Sequence, residues 1–261
     1  MPFVRAQGIQ FHLQRLGMAS EPDSPSPRPT VVMIHGLFTG SLASWYFTAA
    51  PALAASHRVL LYDLRGHGRT QRVADGYNLD TMARDLVELI CDEPRVILVG
   101  HSYGGLIALR VAMKHPERVA GLALVDVPLP PSEMGEDSEI GSLLARSPEE
   151  MLAALPDAVR VLVERGSRQA RRLVQGLAFL AHETTLLSDL ANEPDIADHE
   201  LAGIECDVAC FYGNASSCLS AGQRLVGAVP GASFTVLPGG HYLHLDAPGE
   251  LTRHLVEFVH V

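Results

Sequence analysis

The stretch RVILVGHSYGGLIALRVAMKHPERVAGLALVD, residues 95–126, decides the fold. It opens on RVILVG, an apolar run that ends in a glycine turn. Such a run suits a parallel strand covered on both faces better than an alternating, half-exposed one. YGGLIALRVAMKH then reads as a helix and stops before Pro116, whose ring disfavours helical backbone in the residue preceding it. VAGLALVD is a second apolar strand, closing on Asp126. Between first strand and helix lies Gly100-His101-Ser102-Tyr103-Gly104, a G-x-S-x-G in strand–turn–helix context. There the serine occupies a sharp, strained turn, and small neighbours let strand and helix pack closely. The hydroxyl projects above the sheet, and the helix N-terminus aims its N–H groups at the same spot. Ser102 is therefore a candidate nucleophile; the plainer alternative is a serine cap with glycines for tight packing.

Outward from this unit the same rhythm repeats. FVRAQGIQFHLQRLG alternates around Gly8 and reads as a hairpin. TVVMIHG, residues 30–36, and HRVLLYD, residues 57–63, have the form of buried strands. SLASWYFTAAPALAAS reads as a helix between them, and NLDTMARDLVELICDE, with Asn78 as N-cap, leads to RVILVG. Strand and helix in alternation predict an α/β fold, a doubly wound and mostly parallel sheet. The alternation fails over residues 128–204, where only helical patterns occur. One opens on SPEE, with Ser147 as cap, Pro148 in the first turn and Glu150 closing a capping box. It resumes with CDVACFYG, SAGQRLVGAV, ASFTVLPG and PGELTRHLVEFV. Residues 1–127 and 205–261 are expected to form the core domain, and 128–204 a helical insertion.

The 261 residues, 47% of them hydrophobic, suffice for one large core. Twenty basic residues against 30 acidic ones give a net charge of −10, which weighs against nucleic acid or an anionic membrane as main partner. The N-terminus lacks the apolar run and cleavage site of a signal peptide, and no stretch is long enough to span a membrane. Cys91, Cys206, Cys210 and Cys218 do not form a disulfide framework, and their spacing matches no usual zinc pattern. They read as reduced thiols of a cytoplasmic protein, with no metal or cofactor expected.

Four motifs, in order and spacing, resemble those of the α/β-hydrolase fold superfamily: HGLFTG at 35–40, DLRGHGRT at 63–70, GHSYGG at 100–105 and GGHYLHLDAP at 239–248. The resemblance covers nearly the whole chain. It implies that the 128–204 insertion is a cap over the pocket and that His241, among twelve histidines, is the catalytic base. His244 is its near competitor and is expected to pack or cap the final helix. In many members the acid follows the seventh strand, in a G-x-x-D turn. Here Gly213 is present, Ser216 occupies the acid's place, and no Asp or Glu occurs between Asp207 and Asp246. Asp207 begins its strand, at the wrong end of the sheet, and Asp246 is read as opening the last helix. Asp126 ends a strand expected to lie beside the one carrying Ser102, so both reach one edge. The superfamily has such an arrangement, with the acid after the sixth strand, in thioesterases of peptide and polyketide assembly lines, some lactonases and cofactor-free dioxygenases. The oxyanion hole is expected from the backbone N–H groups of Tyr103 and, by resemblance, Leu37.

These residues point to a serine hydrolase acting on an ester, thioester or lactone through an acyl-enzyme on Ser102. The expected substrate is a small apolar acyl compound, or a thioester on a carrier. The insertion's apolar stretches, such as LVQGLAFLAH, either line an acyl pocket or pack on one another. Two rivals stay open: cofactor-free His–Asp base chemistry, as a dioxygenase or lyase, and a non-catalytic binding protein on the same scaffold. The first is disfavoured by Leu37, where that subgroup favours tryptophan.

Overall fold

A computed structural model describes residues 3–17, 28–37, 40–129, 146–147, 150 and 168–260. Its centre is an eight-stranded sheet in the order β1-β2-β4-β3-β5-β6-β7-β8. The strands are β1 Phe3–Ala6, β2 Ile9–Leu16, β3 Thr30–Ile34, β4 Val59–Tyr62, β5 Val96–His101, β6 Val119–Val125, β7 Asp207–Gly213 and β8 Ser233–Leu237. β1 and β2 form the expected hairpin, β2 runs antiparallel to β4, and all remaining pairs are parallel. The α/β reading of the sequence thus holds among the described residues.

The apolar runs divide between two cores because successive side chains point to opposite faces of a strand. Val32, Ile34, Val96, Leu98, Leu122 and Leu124 face one core. Val31, Met33, Ile97, Val99, Ala123 and Val125 face the other. Helices α3 (Leu79–Leu89) and α4 (Tyr103–Lys114) cover the first face. Helices α1 (Ala43–Tyr46) and α2 (Ala50–Leu53), together with the C-terminal helix described below, cover the second. Each fully buried Leu, Ile or Val contributes roughly 1.5–3 kcal/mol, so the two-sided sheet is the main source of stability. Residues 103–112 of α4 are all buried, which explains why that helix shows no polar stripe. It lies close to β3: a methyl group on Gly104 would stand 2.5 Å from the His35 carbonyl oxygen.

The segment at 41–56 differs from the single helix expected. It forms two short helices, with Pro51 in the first turn of the second. Proline has no N–H to continue a helix and its ring clashes with the carbonyl four residues back, so the chain stops and restarts around it.

Between β6 and β7 lie α5 (Arg168–His182), α6 (Leu186–Ala191) and α7 (Asp198–Leu201). They dock on the loop before α3. Thr185 N–H donates to the Ala74 carbonyl at 2.7 Å, Asp189 accepts from Tyr77 N–H at 2.8 Å, and Glu193 accepts from Leu79 N–H at 2.9 Å. The expected capping box is present: Ser147 N–H donates to Glu150 and Glu150 N–H to Ser147 Oγ, at 2.9 and 3.3 Å. Pro148 and most of the expected insertion before 168 lie outside the described residues. The chain ends with α8 (Leu219–Ala228), α9 (Leu243–Asp246) and α10 (Pro248–Val259). Asp246 does not open the last helix. It closes α9, and its carboxylate accepts the Gly240 N–H at 2.8 Å, holding the loop that carries His241.

Candidate active site

The sheet hydrogen bonding continues past the strand ends and places the site. Ser102 N–H donates to the Val125 carbonyl at 3.0 Å, and Asp126 N–H to the Phe211 carbonyl at 2.8 Å. Ser102 and Asp126 thus stand at the C-terminal edge of neighbouring parallel strands. Both have positive φ, 53° and 49°, shared by only one other non-glycine residue among those described, Gln7 in the hairpin turn. A side chain in this backbone region costs of order 1–3 kcal/mol, a strain that clusters at functional sites.

His241 joins the two. Its Nε2 lies 3.0 Å from Ser102 Oγ and its Nδ1 2.9 Å from Asp126 Oδ1. A carboxylate only accepts, so the proton belongs on Nδ1 and the Nε2 lone pair faces the serine hydroxyl. Asp126 is completely buried. Gly213 N–H donates to its Oδ2 at 2.8 Å, and Ser216 Oγ donates to its Oδ1. Ser216, which stands after β7 where the resemblance would put an acid, thus hydrogen-bonds Asp126 at the end of β6. The Cys218 N–H in turn donates to Ser216 Oγ at 3.0 Å.

The surrounding histidines serve as neutral braces. His101 donates from Nε2 to the His241 carbonyl at 2.8 Å and packs, tilted and edge-on, against the rings of His241 and His244. His35 donates from Nδ1 to Gly36 O and accepts the Leu64 N–H on Nε2. His67 donates from Nδ1 to Arg65 O. His244 packs as expected, buried between Trp45 and His101. Asp63 anchors its turn, accepting the N–H groups of Leu42 and Arg69 and pairing with His12.

Burial is the main cause that lowers the affinity of His35, His67, His101 and His244 for a proton, bringing His67 to about 3 and His244 to about 4 from the ordinary 6.5. The unfolded chain takes up protons below 6.5 that the folded chain refuses, so the unfolded state gains as pH falls. The stability that these groups contribute is complete above pH 6.5 and drains away toward pH 4 and then 3. Urea midpoints should fall steadily as pH is lowered from 6.5 to about 4. A constant midpoint over that window would contradict it.

The two expected oxyanion donors are placed differently. Tyr103 is the first residue of α4, so its N–H has no acceptor within the helix. Its ring is buried and its hydroxyl donates to the Tyr77 carbonyl at 2.9 Å. Leu37 is buried in the turn after β3 and borders, with Gly36, Gly40, Ser44, Tyr242 and His244, a cavity of about 160 Å³. A methyl group on Gly36 would lie 3.1 Å from Ser102 Cβ, so this glycine lets the turn approach the serine. Phe38 and Thr39 lie outside the described residues.

One neighbour escaped the sequence reading. Cys218 Sγ lies 3.7 Å from His241 Nδ1, and its thiol is pushed up to about 12, by burial first and then by the Asp126 charge. Cys218 Sγ, His241 Nδ1 and an Asp126 carboxylate oxygen all lie within 4.8 Å of one another. The only hint in the sequence was its place two residues after Ser216.

A family model for the alpha/beta hydrolase fold matches residues 29–162. The chain belongs to that family. It is an enzyme of the alpha/beta hydrolase fold, as its relatives are. A protein of Variovorax paradoxus named "Putative carbamate hydrolase RutD" is 30% identical over 252 residues, 92% of this chain and 94% of its own. One of Haemophilus influenzae named "Putative esterase/lipase" is 26% identical, covering 88% of this chain and 83% of its own. Among solved structures, the enol-lactonase of Burkholderia xenovorans LB400 superposes with a TM-score of 0.75 at 20% identity, over the full length of both chains. No helix among the described residues of this alpha/beta hydrolase is long and apolar enough to cross a membrane.

Proposed function

We propose that this chain is a serine hydrolase that cleaves an ester, thioester or lactone through an acyl-enzyme. The observation that carries the reading is the unbroken line Ser102–His241–Asp126, at 3.0 and 2.9 Å. Ser102 Oγ attacks the carbonyl carbon while His241 Nε2 takes its proton. Asp126 holds the imidazole in the required tautomer and stabilises the imidazolium. The N–H groups of Tyr103 and Leu37 stabilise the tetrahedral oxyanion. His241 then gives its proton to the leaving group and activates the water that frees the acid. The insertion at 128–204 is proposed as the cap that selects the acyl group.

The Variovorax relative favours one extension of the substrate set. A carbamate presents the same carbonyl to the same machinery, with an amine or ammonia as leaving group. The test is purified protein against p-nitrophenyl esters from acetate to decanoate, a thioester, a lactone and a carbamate, with fluorophosphonate labelling alongside. Turnover in at least one class, with Ser102 labelled, is the expected result. No turnover in any class and no label on Ser102 would overturn the proposal in favour of His–Asp base chemistry or a binding role.

A further inference from the structure

We infer that Asp126, Cys218 and His241 form a binding site for a thiophilic divalent cation such as Zn²⁺ or Cd²⁺, which shuts the enzyme off when it binds. The binding rests on the geometry of the three donors alone; the inhibition rests also on the catalytic reading given above.

The donor set is a carboxylate, a thiolate and an imidazole, the types that zinc takes in combination. With the usual bond lengths, tetrahedral zinc separates thiolate sulfur from imidazole nitrogen by about 3.6 Å and nitrogen from carboxylate oxygen by about 3.4 Å. The observed Sγ to Nδ1 distance is 3.7 Å, and Nδ1 to Oδ1 is 2.9 Å. The first pair is already spaced for a metal, and the second must open by about half an ångström. The His241 side chain is 22% exposed on the loop after Gly240 and Asp126 is fully buried, so the imidazole is the partner that must shift. Gly213 N–H holds Oδ2, and Ser216 orients Oδ1 toward the imidazole. Ligating carboxylates are commonly held by such outer hydrogen bonds. Cys218 and His241 are both half-buried, whereas Asp126 is buried.

The proton count explains the inhibition. The Cys218 thiol releases its proton to solvent as sulfur takes the metal, which deprotonates a coordinating thiol despite its burial. The metal takes the Nδ1 lone pair of His241, so the Nδ1 proton leaves and the neutral ring carries its one proton on Nε2. That nitrogen now donates toward Ser102 and cannot accept the hydroxyl proton. The cation thus imposes the unproductive tautomer without touching the serine. Soft sulfur selects Zn²⁺ and Cd²⁺ over Mg²⁺ and Ca²⁺.

The experiment is a Cd²⁺ titration of the reduced, purified protein, reading the ultraviolet thiolate-to-metal charge-transfer band and fluorophosphonate labelling together. Wild type should develop the band to one equivalent while labelling falls in step; Mg²⁺ should do neither. Cys218→Ser should lose the band, and its inhibition, relative to its own metal-free rate, should weaken about tenfold or more, as a lost soft ligand implies. Cys91→Ser, which removes the exposed cysteine, should behave as wild type. Alkylation of the wild type with peptide mapping needs no variant: Cd²⁺ should protect Cys218 and leave Cys91 reactive. No band, a band that survives Cys218→Ser, or Cys218 alkylated equally with and without Cd²⁺ would overturn the site. A band dependent on Cys218 with undiminished labelling would uphold the site and overturn the inhibition.

Discussion

Ser102→Ala should lower ester turnover by about 10⁴- to 10⁶-fold, the range seen when an acyl-enzyme nucleophile is removed from an intact triad. The alanine deletes only Oγ, and the φ of 53° at this position is no worse for alanine than for serine. The protein should therefore fold as before, with the His241–Asp126 pair in place. Fluorophosphonate labelling should vanish with the activity, because the labelled atom is gone. The loss belongs in kcat, with substrate binding retained, since Oγ contributes its interaction in the transition state. This variant separates the proposed chemistry from its nearest rival. In base chemistry run by His241 and Asp126 alone, removal of Oγ leaves the proton acceptor untouched. An alanine variant that turns over substrate at the wild-type rate would end the acyl-enzyme proposal.

Asp126→Asn should cost about 10⁴-fold in kcat, and the hydrogen bonds of Asp126 say why. Gly213 N–H points at one carboxylate oxygen, at 2.8 Å, and can be satisfied only by an acceptor. The asparagine must therefore turn its carbonyl to Gly213 and its NH₂ to His241. Facing a donor, His241 Nδ1 gives up its proton, the ring protonates on Nε2, and the base for Ser102 is lost. Turning the amide the other way restores the tautomer but strands a buried N–H, at about 1–3 kcal/mol. A carboxylate returned from the next strand should repair part of the damage. Ser216 already touches the acid, so Ser216→Asp in the Asp126→Asn background should recover activity by about tenfold, roughly 1.4 kcal/mol of barrier. A single variant as active as wild type would make Asp126 structural only. Loss without any recovery in the double variant would indicate that the damage lies in folding.

Much of this architecture is legible in the sequence because the forces that set it are local or periodic. Continuous apolar runs such as VVMI and VILV need two covers, and the structure supplies a core on each face. The elbow at Ser102 is encoded by glycines that only a close strand–helix approach requires. The place of Asp126 was legible by a different route, through an empty position: with Ser216 in the turn after β7, the last residue of LALVD was the remaining carboxylate at that edge. Other features depend on how distant segments meet. Nothing periodic announces that Cys218 and Ser216 turn back toward Asp126, ninety residues away for Ser216. The break at Pro51 was visible in principle, but the apolar pattern around it carried through. Asp246 was misread because a four-residue turn, α9, intervenes before the last helix, and one turn has too little periodicity to see.

The hydrogen bond between Ser216 and Asp126 shows that one point below the imidazole can be served from two strands. β6 and β7 deliver to one point beneath the imidazole, so His241 responds to where negative charge lies and not to which segment supplies it. A chain carrying carboxylates at both 126 and 216 would hold two like charges within hydrogen-bond reach, and such pairs keep one proton between them. The protonated member would then donate to its neighbour, as the Ser216 hydroxyl does here. The Ser216 hydroxyl is thus a donor placed where a second carboxylate could also sit.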